Sequence, residues 1–364
     1  MNSKIVVFMP SIEGGGVEKN LFLVCNYLDK NVGNLKIITI SKNFKNKFSN
    51  SIEIVTYSYN FLDKLSRKLK YFLSIILLIK EILKNKNIIV LSFQANLYCI
   101  IICKLFSVKV ISRSNSAPIG WSKNLIKRYI FRKILNLSNE VLVNSYQFKN
   151  DLKKEFKVNA KTIYNPLNKN EIIKKSKHKS KKIFNSKKKL RILNIGRFTD
   201  QKDQITFLKS LNLIKNKIDF EASIIGKGVL KNKLQNYIKD QNLQKSVKIY
   251  DFVENPYPLI KQTNLFVLTS KFEGLPNVLL ESLVLKKFII SSNCHTGPKE
   301  ILLNGKGGLL FKVGDYKQLA QKIKYYHMNK KKCKNLLSKA YNSLYRFDYN
   351  RNLKKYLEIL KSQI

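Results

Sequence analysis

The first half of the chain alternates short apolar runs with longer stretches of helical periodicity. Four runs of five to seven residues are predicted strands, at residues 5–9, 35–40, 87–93 and 108–113. Strands that are apolar throughout, and that are separated by helices, are typical of parallel sheets covered by helices on both faces. This pattern predicts a doubly wound α/β domain.

A second series of the same kind follows, with strands predicted at residues 191–196, 220–226, 247–252, 265–270 and 287–292. Before it, residues 174–191 carry ten Lys or Arg side chains in eighteen positions, which predicts a basic linker over residues 174–190. The chain therefore divides into domains at 1–173 and 191–348 and a final helix at 349–364. Ligands of open α/β sheets lie at the carboxyl ends of the strands, so two such domains facing each other predict an interdomain cleft.

The chain is strongly basic, with 69 Lys and Arg against 23 acidic residues and a formal charge of +46. Such a charge favours an anionic partner, which is a membrane surface, a nucleic acid or a phosphorylated substrate. Because Lys shares A/T-rich codons with the abundant Asn and Ile, genome composition is an equal explanation for part of it. The five cysteines form no C-x-x-C pair, which argues against a disulfide framework or a zinc site.

The apolar runs are too short to cross a bilayer. The longest, at residues 71–79, is well below the roughly 20 residues that a spanning helix needs. The first ten residues lead into a predicted strand without the apolar core of a secretory signal. We therefore expect a cytoplasmic protein without a transmembrane helix.

A glycine-rich turn lies between the first predicted strand and a helical stretch. It contains Gly15 and Gly16, which let the backbone approach a ligand closely, and the N–H groups at the start of the helix favour an anion. A tight turn without a ligand is the alternative. A similar turn opens the second domain, where Gly196 precedes Arg197 and Lys202. The two cations could converge on a diphosphate, with solvated surface charge as the alternative.

The segment after the strand at residues 265–270 contains two glutamates. Glu273 lies in a predicted loop, and Glu281 lies about one turn into the helix that follows. Both carboxylates could address one ligand, while the N–H groups of the helix start would supply positive potential for a diphosphate. A capping carboxylate and an exposed helix residue are the alternative interpretation.

These residues resemble the retaining GT-B glycosyltransferases of family 4, the glycosyl transferases group 1, whose mark is two glutamates separated by seven residues. The resemblance covers nearly the whole chain, in family order: Gly15-Gly16, Gly196-Arg197 with Lys202, residues 225–228, Phe252 with Asn255, Glu273 with Glu281, residues 296–301, Gly305, Gly308 and Gly314-Asp315. Residues 292–300 are similar to the subset of this family that assembles lipopolysaccharide, capsule and glycoprotein glycans. The resemblance implies a GT-B fold.

The resemblance also implies roles for residues. Glu273 would contact the donor sugar and stabilise positive charge at its anomeric carbon, while Arg197 and Lys202 would neutralise the diphosphate. The implied donor-binding set is Gly15, Gly16, Gly196, Phe252, Gly274, Leu275, Asn277, Val278 and Glu281, the last holding the ribose. Because no nucleophile constellation and no D-x-D triplet is present, we expect no essential metal and no cofactor, the nucleotide-sugar being a substrate.

The acceptor side departs from the family pattern. All three histidines lie beyond residue 170, whereas family members often carry one in the first half, so Arg113 and Asn115 are the candidate replacements. Residues 120–137, with Trp121 near their start, and residues 62–86 combine apolar and basic positions at helical spacing. Such helices suit an anionic membrane surface, as family members dock to a bilayer carrying a polyprenyl-diphosphate glycan. Packing of their apolar faces on the sheet is the alternative.

The residues and the resemblance together predict a retaining glycosyltransferase. It would move a hexose or N-acetylhexosamine from a nucleotide-sugar, by family habit a UDP-sugar, to a lipid-linked or cell-envelope glycan, on the inner face of the cytoplasmic membrane. A GT-B nucleotide-sugar epimerase is one alternative, although no acid/base pair for it is evident. A basic nucleic-acid-binding protein is another, but no finger, RRM or KH signature appears, so we expect no nucleic-acid partner.

Overall fold

The computed structural model describes residues 4–115 and 124–363, which form two compact units. The first unit comprises Met1–Pro166 and Tyr349–Ile364, and the second comprises Leu167–Asp348. Each unit has a parallel sheet of its own and a hydrophobic core of its own.

Thirteen strands occur in the described part of the chain. They are β1 (Lys4–Phe8), β2 (Leu35–Ile38), β3 (Glu53–Val55), β4 (Ile88–Ser92), β5 (Lys109–Ser114), β6 (Glu140–Val143), β7 (Lys161–Thr162), β8 (Leu190–Ile195), β9 (Phe220–Ile225), β10 (Val247–Tyr250), β11 (Leu265–Leu268), β12 (Phe288–Ser292) and β13 (Leu309–Phe311). All nine strands predicted from apolar runs are confirmed. The four that were not predicted, β3, β6, β7 and β13, have only two to four residues each.

Fourteen α-helices occur in the same residues. They are α1 (Gly16–Val32), α2 (Arg67–Lys84), α3 (Asn96–Leu105), α4 (Leu125–Asn136), α5 (Tyr146–Phe156), α6 (Lys169–Lys175), α7 (Gln204–Ile214), α8 (Lys231–Asp240), α9 (Tyr257–Gln262), α10 (Asn277–Val284), α11 (Pro298–Ile301), α12 (Tyr316–Met328), α13 (Lys330–Asn342) and α14 (Tyr349–Lys361). None of them is long and apolar enough to cross a membrane.

Both sheets have the strand order of a doubly wound fold. The first runs β3-β2-β1-β4-β5-β6-β7 and the second runs β10-β9-β8-β11-β12-β13, with neighbouring strands parallel throughout. Each order reverses once, between β1 and β4 and between β8 and β11. Ligands of such sheets bind outside the carboxyl ends of the strands at this reversal, so the fold points to the loops after β8 and β11.

Each sheet is covered by apolar helix faces. In the first unit, α1 buries Leu21, Val24 and Leu28 against one face of the sheet, and Leu353 and Tyr356 of α14 join the same cluster. The final helix therefore completes the core of the first unit. In the second unit, the residues buried by α7, α8 and α12 form one cluster with the strands.

The structure places the division of the chain between Pro166 and Leu167, seven residues before the predicted boundary. The basic segment predicted as a linker lies within the second unit. Ile183 in its middle is buried, its N–H donates to Gln262 Oε1 at 3.0 Å, and its carbonyl accepts from Ser223 Oγ at 3.1 Å. Ile183 and Phe184 are buried, so this part of the segment packs on the second unit. Most of the lysines on either side of the pair are exposed to solvent.

Candidate active site

The ends of β8 and β11 bring the predicted phosphate-binding loop next to the predicted glutamate loop. Residues 196–203 follow β8, and residues 269–276 follow β11. Lys271 N donates to the Gln201 carbonyl at 2.8 Å, and Gln201 Nε2 donates to the Phe272 carbonyl at 2.9 Å. These reciprocal bonds join the two loops at the point of strand-order reversal.

Glu273 is the central carboxylate of this arrangement. Its Oε1 accepts from Lys202 Nζ at 2.5 Å and from Ser270 Oγ at 2.6 Å. The Glu273 side chain is 8% exposed and the Lys202 side chain 16% exposed, so the pair is partly withdrawn from water. Two donors on one oxygen fix the rotation of the carboxylate.

A third segment, which follows β12, supports the glutamate loop from the other side. Thr296 Oγ1 donates to the Glu273 carbonyl at 2.5 Å, and Gly297 has a φ of +78°. A Cβ at Gly297 would lie 2.2 Å from the Gly274 carbonyl oxygen, so only glycine fits. Burial and the Glu273 carboxylate raise the pKa of the nearby Cys294 thiol to about 12, which keeps the thiol neutral.

The second glutamate lies on α10, whose first residue is Asn277. Leu275 is buried in the approach to this helix, Val278 follows Asn277 in its first turn, and Glu281 is 5% exposed. The Tyr257 hydroxyl donates to Glu281 Oε1 at 3.2 Å. The N–H groups of the first turn, near Gly274, provide the positive end of a helix dipole close to the glutamate loop.

The remaining candidates of the second unit lie on the neighbouring loops. Gly196 packs on Lys202, since a Cβ there would lie 3.3 Å from Lys202 Cγ. Arg197 is exposed, with its side chain in solvent. Phe252, after β10, is 49% exposed and has Lys227 Nζ 5.0 Å from its ring centroid. An exposed aromatic face beside a cation can stack on a planar ligand.

In the first unit, Gly15 is the N-cap residue of α1 and Gly16 is its first residue, at the end of the loop that follows β1. A Cβ at Gly15 would lie 2.8 Å from Glu18 Oε2. The Glu18 carboxylate thus lies against this helix start, where it accepts from the Glu13 N–H at 3.3 Å. The glycine turn is therefore present as predicted, with a carboxylate close to it.

Arg113, a candidate contact for an acceptor or donor, lies on β5. Its side chain is fully buried. Its guanidinium donates to Asn115 Oδ1 at 3.1 Å and to Asn165 Oδ1 at 2.9 Å, and it lies over the rings of Phe93 and Tyr356. Burial lowers the pKa of this group. The cation is enclosed because α14, distant in sequence, covers it.

Asn115 is partly exposed at the end of β5, with its side chain held by Arg113 and by the Phe93 carbonyl. Trp121 and the start of the predicted helix at 120–137 lie outside the described residues. Within residues 4–115 and 124–363, no group of three His, Cys, Asp or Glu side chains could hold a metal ion.

Sequence reasoning did not single out three residues that the fold brings to the two glutamates. Ser270 and Thr296 lie within segments that resemble the family, but nothing in their spacing indicates hydrogen bonds to Glu273. Tyr257 lies 24 positions before Glu281, and only the packing of α9 near α10 places its hydroxyl there.

One family model matches part of the second unit. Residues 175–343 match the family model described as glycosyl transferases group 1, and this match lies within Leu167–Asp348.

Two curated relatives are similar to parts of the chain. An uncharacterized glycosyltransferase of Methanocaldococcus jannaschii is 42% identical over 117 residues, 32% of this chain and 29% of that protein. The N-acetylgalactosamine-N,N'-diacetylbacillosaminyl-diphospho-undecaprenol 4-alpha-N-acetylgalactosaminyltransferase of Campylobacter jejuni is 26% identical over 237 residues, 62% of this chain and 63% of that protein. The chain thus matches less than two thirds of the length of either relative.

Among solved structures, the Anabaena protein HepE, crystallised in complex with UDP, superposes with a TM-score of 0.77 at 17% identity. The superposition covers 99% of this chain and 100% of that one, which shows a common fold for both units. These comparisons show the GT-B fold for the chain and a match of part of its second unit to the glycosyl transferases group 1 family model.

Proposed function

We propose that this protein is a retaining glycosyltransferase that moves a hexose or N-acetylhexosamine from a UDP-sugar to a lipid-linked or cell-envelope glycan. The observation that carries the proposal is the Lys202–Glu273 pair at the strand-order reversal of the second sheet, with Glu281 about one turn into the helix that follows. At this edge of the sheet, the cation would bind a diphosphate, and the two carboxylates would bind a sugar and a ribose.

In the proposed site each group has a separate task. Lys202 and Arg197 stabilise the negative charge that develops on the diphosphate as the glycosidic bond breaks, and the first turn of α10 adds its N–H groups. Glu273, held by Ser270, contacts the sugar and stabilises positive charge at the anomeric carbon. The acceptor oxygen bonds to the anomeric carbon on the face from which the phosphate leaves, and its proton passes to the departing phosphate oxygen, so the configuration is retained and neither a protein nucleophile nor a metal is needed.

The names of similar proteins support the choice of substrates. The Campylobacter jejuni relative is named for transfer of N-acetylgalactosamine to a diphospho-undecaprenol glycan, and the Anabaena structure contains UDP. We extend both features to this chain as proposals, with uracil as the base and a polyprenyl-diphosphate glycan as the acceptor.

A donor panel tests the proposed function. The purified full-length chain is incubated with UDP-, GDP- and ADP-sugars and a lipid extract, with and without EDTA, and nucleoside diphosphate release and label transfer to lipid are followed. We expect transfer from a UDP-sugar that EDTA does not reduce, and a product anomer that matches the donor by NMR. An inverted product excludes retention, and interconversion of sugars without transfer indicates an epimerase instead. Absence of binding to every nucleotide-sugar contradicts the proposal as a whole.

We also propose peripheral binding to the inner face of the cytoplasmic membrane through α4. This helix exposes several apolar side chains, with cations around and among them. The apolar residues are Leu125, Ile126, Tyr129 and Ile130, and the cations are Lys127, Arg132 and Lys133. Leu125 and Ile126 are 78% and 71% exposed, so packing on the sheet, the alternative interpretation, does not account for them. Apolar side chains bordered by cations match the interface of an anionic bilayer.

The helix α2 differs from α4 in how much of its apolar face is exposed. Leu77, Leu78 and Ile82 of α2 are buried in the core of the first unit, so its main apolar face packs on the sheet. The candidate at residues 62–86 is therefore chiefly a structural helix, although Leu69 and Phe72 remain exposed.

Replacing Leu125, Ile126 and Tyr129 with Ser is expected to weaken binding to vesicles of phosphatidylglycerol by at least about 10-fold. Each apolar side chain that enters the bilayer contributes roughly 1.5–3 kcal/mol to the free energy of binding. The loss of three such side chains should therefore weaken binding by more than about 10-fold. Sedimentation with vesicles, at low and at high salt, measures the effect. As a control, Val229→Ser and Met328→Ser remove two strongly exposed apolar side chains from the second unit. Equal binding by all variants contradicts the assignment of α4.

A further inference from the structure

Gln204 lies beneath the loop that carries Arg197. It is the first residue of α7, it is 2% exposed, and its Nε2 donates to the Arg197 carbonyl at 3.1 Å. The same amide lies against Gly196, where a Cβ would come within 3.6 Å of Nε2. A buried side chain therefore joins the start of α7 to the beginning of the loop after β8.

The peptide group between Arg197 and Phe198 is held from two sides. Its N–H, that of Phe198, donates to the Lys227 carbonyl at 2.8 Å. Its carbonyl, that of Arg197, accepts from Gln204 Nε2 and from the Thr199 N–H, the latter at 2.9 Å. The Phe198 side chain is fully buried, so this part of the loop is anchored while the Arg197 side chain stays in solvent. The fixed peptide group limits the directions in which the Arg197 side chain leaves the backbone.

The second polar atom of the Gln204 side chain makes this arrangement costly. Its Oε1 is buried, and no group within residues 4–115 and 124–363 donates a hydrogen bond to it. A buried acceptor without a donor destabilises a fold, and an apolar group of similar shape avoids that penalty. An apolar side chain would suit this helix, because Phe207 and Leu208, one turn further along, are fully buried. A polar residue that lowers stability in this way is typical of functional sites.

We propose that Gln204 is a positioning residue for diphosphate binding, which acts by fixing the backbone from which the Arg197 side chain extends. The inference rests on the proposed function, in which the Arg197 guanidinium neutralises the diphosphate. A guanidinium binds phosphate oxygens through a planar fork, so its contribution depends on its direction. A backbone that is already in place does not have to be ordered when the ligand binds.

UDP binding and unfolding of the full-length chain test this inference together. UDP is titrated by calorimetry into the unmodified protein, Gln204→Met, Arg197→Met and the double variant, and denaturant unfolding is followed on the same preparations. We expect Gln204→Met to weaken UDP binding about 3- to 10-fold, while its free energy of unfolding stays equal or rises. Arg197→Met should weaken binding about 10-fold or more. Adding Gln204→Met to it should have little further effect, since the two residues act as one unit.

Asn212→Leu is the matched control. Asn212 lies about two turns further along α7. Its Nδ2 donates to Gln241 Oε1 at 2.9 Å, and its Oδ1, also buried, accepts from no group in the described part of the chain. Removing this amide should leave UDP binding unchanged, because it does not contact the loop after β8. Gln204→Leu serves as a second apolar variant, in case the side chain of Gln204→Met does not fit.

Unchanged UDP binding by a folded Gln204→Met or Gln204→Leu protein overturns the inference, whatever the change in stability. Equal weakening with and without the Arg197 side chain also overturns it, because Gln204 would then act on the site as a whole. If the unmodified chain does not bind UDP, or if Arg197→Met binds it equally tightly, the role of Arg197 in the proposed function is wrong, and this inference fails with it.

Discussion

Glu273→Gln is expected to lower kcat for sugar transfer by about 10²- to 10³-fold, the usual cost of removing one preorganised electrostatic group. Gln retains an oxygen that can accept from Lys202 and Ser270, so the local geometry should persist while the charge is lost. The proposed role requires the negative charge, because the sugar becomes positively charged at its anomeric carbon. Steady-state kinetics with the UDP-sugar that the donor panel identifies measures the effect.

The affinity for UDP itself should change little in this variant, since the proposed contacts to ribose and diphosphate come from other residues. Glu221→Gln is the matched control, because Glu221 lies on β9 near its amino end and accepts from the N–H groups of Asn185 and Ser186. It should retain normal kcat. A Glu273→Gln protein with unchanged kcat would remove this carboxylate from the proposed mechanism.

Gly297→Ala is expected to reduce the free energy of unfolding by about 2–5 kcal/mol. An alanine at its φ of +78° costs about 1–2 kcal/mol. Forcing a Cβ to within 2.2 Å of the Gly274 carbonyl oxygen adds the cost of displacing a packed backbone, about 1–3 kcal/mol. Because Gly274 follows Glu273 directly, we also expect transfer activity to fall. Denaturant unfolding and donor kinetics on the same preparation measure the two effects.

Gly305→Ala is the control that separates the cost of the backbone conformation from the cost of the steric contact. Gly305 has a φ of +91°, but a Cβ there would meet nothing within 4 Å. Only the backbone term of about 1–2 kcal/mol should appear, and activity should be preserved. Equal destabilisation and equal activity in the two variants would show that the contact between residue 297 and Gly274 does not support the glutamate loop.

Hydrophobic periodicity was sufficient to predict most of the sheet in each unit. The strands at residues 5–9 and 265–270 are continuous apolar runs, because strands of a parallel sheet covered by helices are buried on both faces. The strands β7 and β13 were not predicted, since two or three residues at a sheet edge carry no periodic signal. The basic stretch at residues 174–190 contains two buried apolar residues, Ile183 and Phe184, whose burial is not evident from a sequence with many lysines around them.

In the candidate site, too, local sequence predicted some features and missed others. Local sequence determined that Lys202 and Glu273 follow buried strands, and that Glu281 lies on a helix just after the loop. Their convergence follows from the strand order, which places β8 beside β11. No local pattern encodes that neighbourhood, because it depends on how the whole sheet assembles.

The sequence alone determined the two α/β domains, the strand-end loops and the candidate chemistry, because each depends on residues that are close along the chain. Only the tertiary structure decided that Arg113 is enclosed beneath Tyr356 of α14, and that Tyr257 and Ser270 hold the two carboxylates. Burial and side-chain hydrogen bonds join residues that are remote in sequence. Their partners are therefore defined by packing and not by spacing.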